Sequence, residues 1–188
     1  MKKISILLLA ITLSLTACKK KKEEVKVEEE TVTTEVAKVK KVKIALNAKS
    51  DSNTSGNVVF KEEDGTVTMT AIISGLEPGE HAIHIHEKSD CSSPDGTSAG
   101  GHWNPTGQPH GKWGDEGGFH KGDIGNFIAD ENGNGTISIT TDKWCIGCGD
   151  ETKDILGKSI IVHAGSDDFT SQPSGAAGAR VSCAGIIE

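Results

Sequence analysis

Three histidines fall within six positions of the stretch HAIHIHEKSDC, residues 81–91, in a chain that holds seven. On a β-strand successive side chains take opposite faces, so His84 and His86 share one face and His81 takes the other. Two imidazoles spaced this way can offer two nitrogen ligands to one metal ion. Four further histidines stand in loops or at strand ends: His102 in SAGGHWNP, His110 in QPHGKWG, His120 in FHKGDIGN and His163 in KSIIVHAGSDD. Asp123 follows His120 by three residues. Imidazole nitrogen suits copper and zinc, and a carboxylate added to three imidazoles suits tetrahedral zinc. A polar strand face explains any one of these histidines alone. It does not explain six of them with an aspartate, all at loops and strand ends.

The elements that must position these residues read as short strands split by turn signals. KVKIALNA (41–48) and GNVVFKEE (56–63) alternate apolar and polar residues. Asp64-Gly65 marks a hairpin into TVTMTAIISG, and EPGE (77–80) turns the chain into the histidine strand. DIGNFIAD (123–130), the turn ENGNG, TISIT, KSIIVHAG (158–165) and ARVSCAGII (179–187) complete the set. About eight strands and no helix pattern predict an all-β antiparallel sandwich or flattened barrel. Two connections are long, about 88–122 and 164–178, and a third, about 141–157, contains WCIGC. Long structureless loops in a small domain are usually functional. Their composition nominates metal and disulfide bonds as what holds them. Trp103, Trp113 and Trp144 are read as loop packing.

The rest of the chain bounds the setting. Residues 1–17 combine a positive start, an apolar run and a small-residue exit, the pattern of an export signal. The run ends in LTAC, residues 15–18, which resembles the lipobox of bacterial lipoproteins and implies a lipid on Cys18. Residues 18–40 are mostly Lys, Glu, Val and Thr, as in a solvated tether. A single domain, 41–188, follows. The expected location is the periplasm or the cell surface, held to a membrane. Lys19 after the cysteine leans toward an outer membrane. The net charge of −7 argues against nucleic acid as a partner. Four cysteines remain besides Cys18, and in an exported chain disulfides are the expectation.

Six segments, HAIHIHE, SAGGHWNP, PHGK, HKGDIGN, IVHAGSDD and GARVSCAGII, together resemble the copper/zinc superoxide dismutases, of the bacterial lipoprotein type. They stand in family order across about residues 41–188. The resemblance implies an eight-stranded Greek-key barrel or sandwich, immunoglobulin-like, with long metal-binding loops. It implies that His84, His86 and His163 bind copper, and that His102 bridges copper and zinc. His110, His120 and Asp123 complete the zinc site. His81 then matches a non-ligand histidine that braces the copper strand. Asp167 matches an aspartate that hydrogen-bonds a ligand histidine from each metal site. Cys91 and Cys183 match the family disulfide, worth about 4–5 kcal/mol in the chain-entropy account. Arg180, the only arginine, matches the residue that attracts and orients the anionic substrate.

The reaction so implied converts two superoxide radicals and two protons to dioxygen and hydrogen peroxide. His102 and Arg180 are the expected catalytic residues, His102 releasing copper and taking a proton during the cycle. The chain departs from eukaryotic relatives in its shorter loop SDDFTSQPSGAAGAR, which lacks their guidance segment, so Lys121 or Lys158 are candidates to assist Arg180. WCIGC is an addition. A local Cys145–Cys148 disulfide is the reading taken forward, with an accessory metal or copper-loading site and a redox-active pair as alternatives. Two rival functions are a copper carrier, which needs no zinc set or arginine, and a zinc-only structural module, which needs no copper histidines. A homodimer is possible within the family, and the sequence does not fix it.

Overall fold

Alternation of buried and exposed side chains is the plainest feature of the first three strands, and it follows from sheets wet on one face. A computed structural model describes residues 38–188. The expected export segment, Cys18 and nearly all of the tether lie outside them. The strands are β1 (Lys40–Ala48), β2 (Ser55–Glu63), β3 (Thr66–Ser74), β4 (Gly79–His86), β5 (Gly125–Ala129), β6 (Gly135–Thr141), β7 (Ser159–His163) and β8 (Arg180–Gly185). One short 3₁₀ turn, Thr97–Ala99, interrupts the first long loop.

All pairings are antiparallel, and the strands close into a barrel in the order β1-β2-β3-β6-β5-β4-β7-β8. Two connections, β3 to β4 and β6 to β7, cross over the barrel, as the Greek-key expectation requires. Val42, Ile44, Leu46, Val58, Phe60, Met69 and Ile73 point inward and form the core with Ile83, Ile85, Ile160 and Val162. Asp64 and Gly65 both have positive φ, the backbone a tight two-residue hairpin demands.

β4 and β7 behave differently because both their faces are covered. Ile83 pairs with Val162 and Ile85 with Ile160 on the barrel interior. His84 pairs with Ile161 and His86 with Ser159 on the outer face, beneath the long loops. Every residue from His81 to His86 is therefore buried.

Strand limits differ from the sequence reading at two places that matter. β4 begins inside the expected EPGE turn, at Gly79, which pairs with Ala129. β5 begins at Gly125, not Asp123, because the Asp123 carboxylate is committed to the loop before it. Trp103 and Trp144 are more than loop packing: both are buried in the main core cluster.

Candidate metal centre

The outer face of β4 supplies His84 and His86, and the end of β7 supplies His163. The first long loop is stitched alongside β4. The Trp103 amide donates to Ile85 O at 2.8 Å, and the Ile85 amide donates to Gly122 O at 2.9 Å. A single antiparallel bridge sets His102 opposite His86. Ring centroids of His102 then lie 4.0 Å from His84 and 5.0 Å from His86.

Two donor sets result. His84, His86, His102 and His163 form one, and His102, His110, His120 and Asp123 the other, with donor atoms within 4.8 Å of each other in each set. His102 belongs to both. All seven residues are buried.

Buried polar atoms normally have partners. Four ring nitrogens here have none, His84 Nδ1, His86 Nε2, His102 Nε2 and His163 Nε2, and two more, His110 Nδ1 and His120 Nδ1, meet only the Asp123 carboxylate, at 3.0 and 3.2 Å. They are the nitrogens turned into the two sets. On the other side most of these rings are pinned. His86 Nδ1 donates to Gly100 O at 2.9 Å. His84 Nε2 and His110 Nε2 donate to the two oxygens of Asp167, at 2.8 and 2.9 Å. One carboxylate thus orients a histidine of each set. The donor sets fit the ions they would hold: nitrogen alone for copper, nitrogen and one carboxylate for zinc.

Burial disfavours protonation of three of these rings, His163, His102 and His86. Burial, then the neighbouring His84, push His163 down to about 3. Burial pushes His102 down to about 4, although Asp123 opposes it. Burial and the charge of His102 hold His86 well below its ordinary value. Burial disfavours the Asp123 carboxylate. Hydrogen bonds from His102, from His120 and from the His120 amide outweigh this and hold it far below the usual carboxylate range.

Arg180 reaches the site through a β-bulge. A regular ladder would continue from Val162–Ser182 to set Val181 against His163, but the register shift pairs His163 with Arg180. Bulges re-aim side chains in this way. Arg180 Nη1 donates to Gly96 O at 2.8 Å, which fixes the guanidinium. His86, His102, His163, Pro173, Ala177 and Arg180 line one cleft of about 710 Å³. The Cys91–Cys183 disulfide ties the Gly96 loop to β8.

His81 belongs to neither donor set. Its Nδ1 and Nε2 lie 2.9 Å from His163 O and 2.7 Å from Glu77 O. Cys145 and Cys148 are joined to each other. Lys121 is not at the site: it faces a separate cleft with Lys143. Lys158 lies over the Trp103 ring, 5.9 Å from its centroid, in a cleft beside the metal cleft.

Two positioning groups had no sequence signal. The Gln172 side chain pairs with the His110 main chain, accepting from its amide at 2.9 Å and donating to its carbonyl at 2.8 Å. The Asn126 side chain does the same for the Asp167 main chain, at 2.8 and 2.9 Å. Gly175 is also required, since a Cβ there would lie 1.8 Å from Asp167 Oδ1.

Barrel and donors together define an all-β protein with two adjoining donor sets, each able to hold a metal ion, that share one histidine. Comparison with known proteins names the family. Residues 54–186 match the model of copper/zinc superoxide dismutase. A curated relative, superoxide dismutase [Cu-Zn] 2 of Aquifex aeolicus (strain VF5), is 36% identical over 142 residues, 72% of this chain and 82% of that protein. Among solved structures the chain is similar to the clock protein EA4, with 33% identity and a TM-score of 0.66, covering 78% of this chain and 94% of that one. It is also similar to a double mutant of a SOD-like protein from Bacillus subtilis, with 30% identity and a TM-score of 0.69, covering 78% and 97%. The chain belongs to the copper/zinc superoxide dismutase family. It is an oxidoreductase acting on superoxide, with copper and zinc as its cofactors.

Proposed function

We propose that this enzyme dismutes superoxide at the cell envelope, with His84, His86, His102 and His163 holding copper and His102, His110, His120 and Asp123 holding zinc. The observation that supports this assignment best is the convergence of six buried ring nitrogens, four of them unpartnered, and the Asp123 carboxylate into two sets that share His102. Copper supplies the one-electron exchange, while zinc keeps its charge.

The chain's own residues do the rest. Arg180 draws superoxide into the cleft and orients it, its charge fixed by the Gly96 carbonyl. A local positive group is needed because the chain is net negative. His102 Nε2 has no partner within the protein, so it is the atom that can hold a proton for the departing peroxide. Asp167 fixes which nitrogen of His84 and of His110 faces the metals. Two superoxide anions and two protons leave as dioxygen and hydrogen peroxide.

The export-type start and the LTAC sequence support attachment by a lipid on Cys18, facing the periplasm or the surface. Palmitate label entering the chain but not its Cys18→Ser form is the expected result. Homodimerisation is a family-based proposal, tested by sedimentation of the purified chain. The central experiment is metal analysis paired with superoxide consumption, with and without chelator. Copper and zinc in equal amounts, and activity lost with copper, are expected. Activity that persists after copper removal would refute the proposal.

A further inference from the structure

One more group of metal-type donors converges among the described residues, away from the histidines. Cys145 Sγ, Cys148 Sγ and a carboxylate oxygen of Asp154 lie within 4.8 Å of one another. The two sulfurs are bonded to each other. That bond closes a ring of only four residues, whereas Cys91–Cys183 spans a separation of 92. A ring so small restrains the unfolded chain little.

The loop does not depend on it. The Cys145 amide donates to Lys153 O at 2.8 Å, and the Ile155 amide donates to Cys145 O at 3.1 Å. The Ile146 amide donates to Glu62 Oε2 at 2.8 Å, and Lys40 Nζ bonds Ile146 O. Trp144, Ile146 and Ile155 are fully buried beneath. Asp154 is held by three amides, those of Gly147, Gly149 and Leu156, at 2.9, 3.0 and 3.1 Å. Opening the sulfur bond therefore leaves both sulfurs and the carboxylate on a preformed frame. Cys148 is exposed, so an incoming thiol can reach one sulfur, while Cys145 is buried.

We propose that Cys145 and Cys148, when reduced, form with Asp154 a third metal site, one for copper(I), which the disulfide closes. Paired thiolates are soft ligands of the kind that suit copper(I). The position beside the histidine cleft favours an ion that centre also takes, and the softness of paired thiolates favours copper(I) among them. Asp154 and Gly149 line a cleft of about 650 Å³ together with Glu87 and Asn104. Glu87 and Asn104 also line the histidine cleft, so the two clefts adjoin. Chemically, a dithiol reductant gives two electrons and two protons, the S–S bond becomes two thiols, and the reductant leaves as its own disulfide. Copper(I) uptake then releases up to two thiol protons.

This goes beyond the histidine centre and does not require it to work. The test uses the full chain carrying Cys18→Ser, with its histidine centre already filled. Copper(I) is titrated anaerobically against a colorimetric copper(I) chelator in three samples: oxidised chain, mildly reduced chain, and reduced chain with Cys145→Ser and Cys148→Ser. The reduced chain is expected to hold about one more copper than either control, with sulfur ligands in the copper X-ray absorption spectrum. The oxidised chain needs no substitution, so it remains a valid control if the double-serine form folds poorly. Equal copper in the reduced and oxidised chains, nitrogen or oxygen ligation only, or displacement of the extra copper by excess zinc would each overturn the site. Dismutase activity is followed in parallel, so failure here is separable from failure of the histidine assignment.

Discussion

Replacing Asp167 by asparagine separates the two metals, and the structure says which one suffers. Oδ1 of Asp167 accepts from His110 Nε2 at 2.9 Å and from the Phe169 amide at 2.7 Å. Oδ2 accepts only from His84 Nε2, at 2.8 Å. An asparagine of nearly the same shape keeps its oxygen where two donors converge. Its NH₂ then faces His84 Nε2. That nitrogen must become an acceptor, so the His84 proton moves to Nδ1, the atom turned into the copper set. Copper can bind only by displacing that proton and leaving a buried amide unpaired, at about 1–3 kcal/mol. Loss of such an outer carboxylate typically weakens metal binding about 10–100-fold. We expect the copper dissociation constant of Asp167→Asn to rise by that factor and the zinc constant to change far less. Chelator competition on the metal-free chain, read by elemental analysis, measures both. Zinc weakened as much as copper, or copper unaffected, would refute the oxygen placement and the tautomer argument with it.

Arg180→Ala is expected to keep both metals and lose at least about tenfold in superoxide consumption at low salt, measured by pulse radiolysis, with the deficit shrinking as salt rises. Gln172→Ala removes both bonds to the His110 main chain and is expected to weaken zinc about tenfold while copper stays tighter, by the same competition assay. The pH dependence of the metal-free chain has a definite sign. With the loop closed over it, His102 titrates near 4 in the fold against near 6.5 when unfolded, so the full effect belongs to the closed form. Between those values the unfolded chain binds more protons, so stability falls as pH falls. His102 alone contributes a loss of roughly 3 kcal/mol across the window, and His163, near 3 in the fold, adds to it. Asp123 acts in the same direction below about pH 4, where its unfolded form takes up a proton. Denaturant midpoints at pH 7 and pH 4.5 measure the effect, and equal midpoints would contradict it.

Most of the barrel was legible because water marks one face of β1, β2 and β3. β7, SIIVH, shows no alternation, since loops cover its outer face, yet its β-branched run identified it as a strand. The donors were legible because metal chemistry restricts residue type: every histidine named from sequence except His81 points a nitrogen into one of the two sets. Arg180 was legible as a residue but not as a placement, because a one-residue bulge brings it beside His163 and nothing local encodes it. Gln172 and Asn126 were invisible. Their partners lie 62 and 41 residues away, and a single amide side chain in a loop carries no pattern. Lys158 and Lys121 could not be separated by sequence. The fold puts one beside the metal cleft and the other on a different surface.

These contacts make metal binding and loop order one equilibrium. Four of the seven donors, His102, His110, His120 and Asp123, stand in the loop between β4 and β5, whose few buried apolar residues are Trp103, Ile124 and, in a second small cluster, Ala99. Four buried ring nitrogens without partners, on His84, His86, His102 and His163, each cost on the order of 1–3 kcal/mol. Without metal, the loop can relieve that cost only by opening to water. Metal binding removes the cost and so acts as folding energy for this segment. The barrel does not share the dependence, because its core is independent of the histidines. Losing metal is therefore expected to loosen residues 87–124 and 164–178 while β1, β2 and β3 stay protected. Amide exchange on the metal-free and loaded chain reads this directly: uniform loss of protection across barrel and loops would show that the two are not separable.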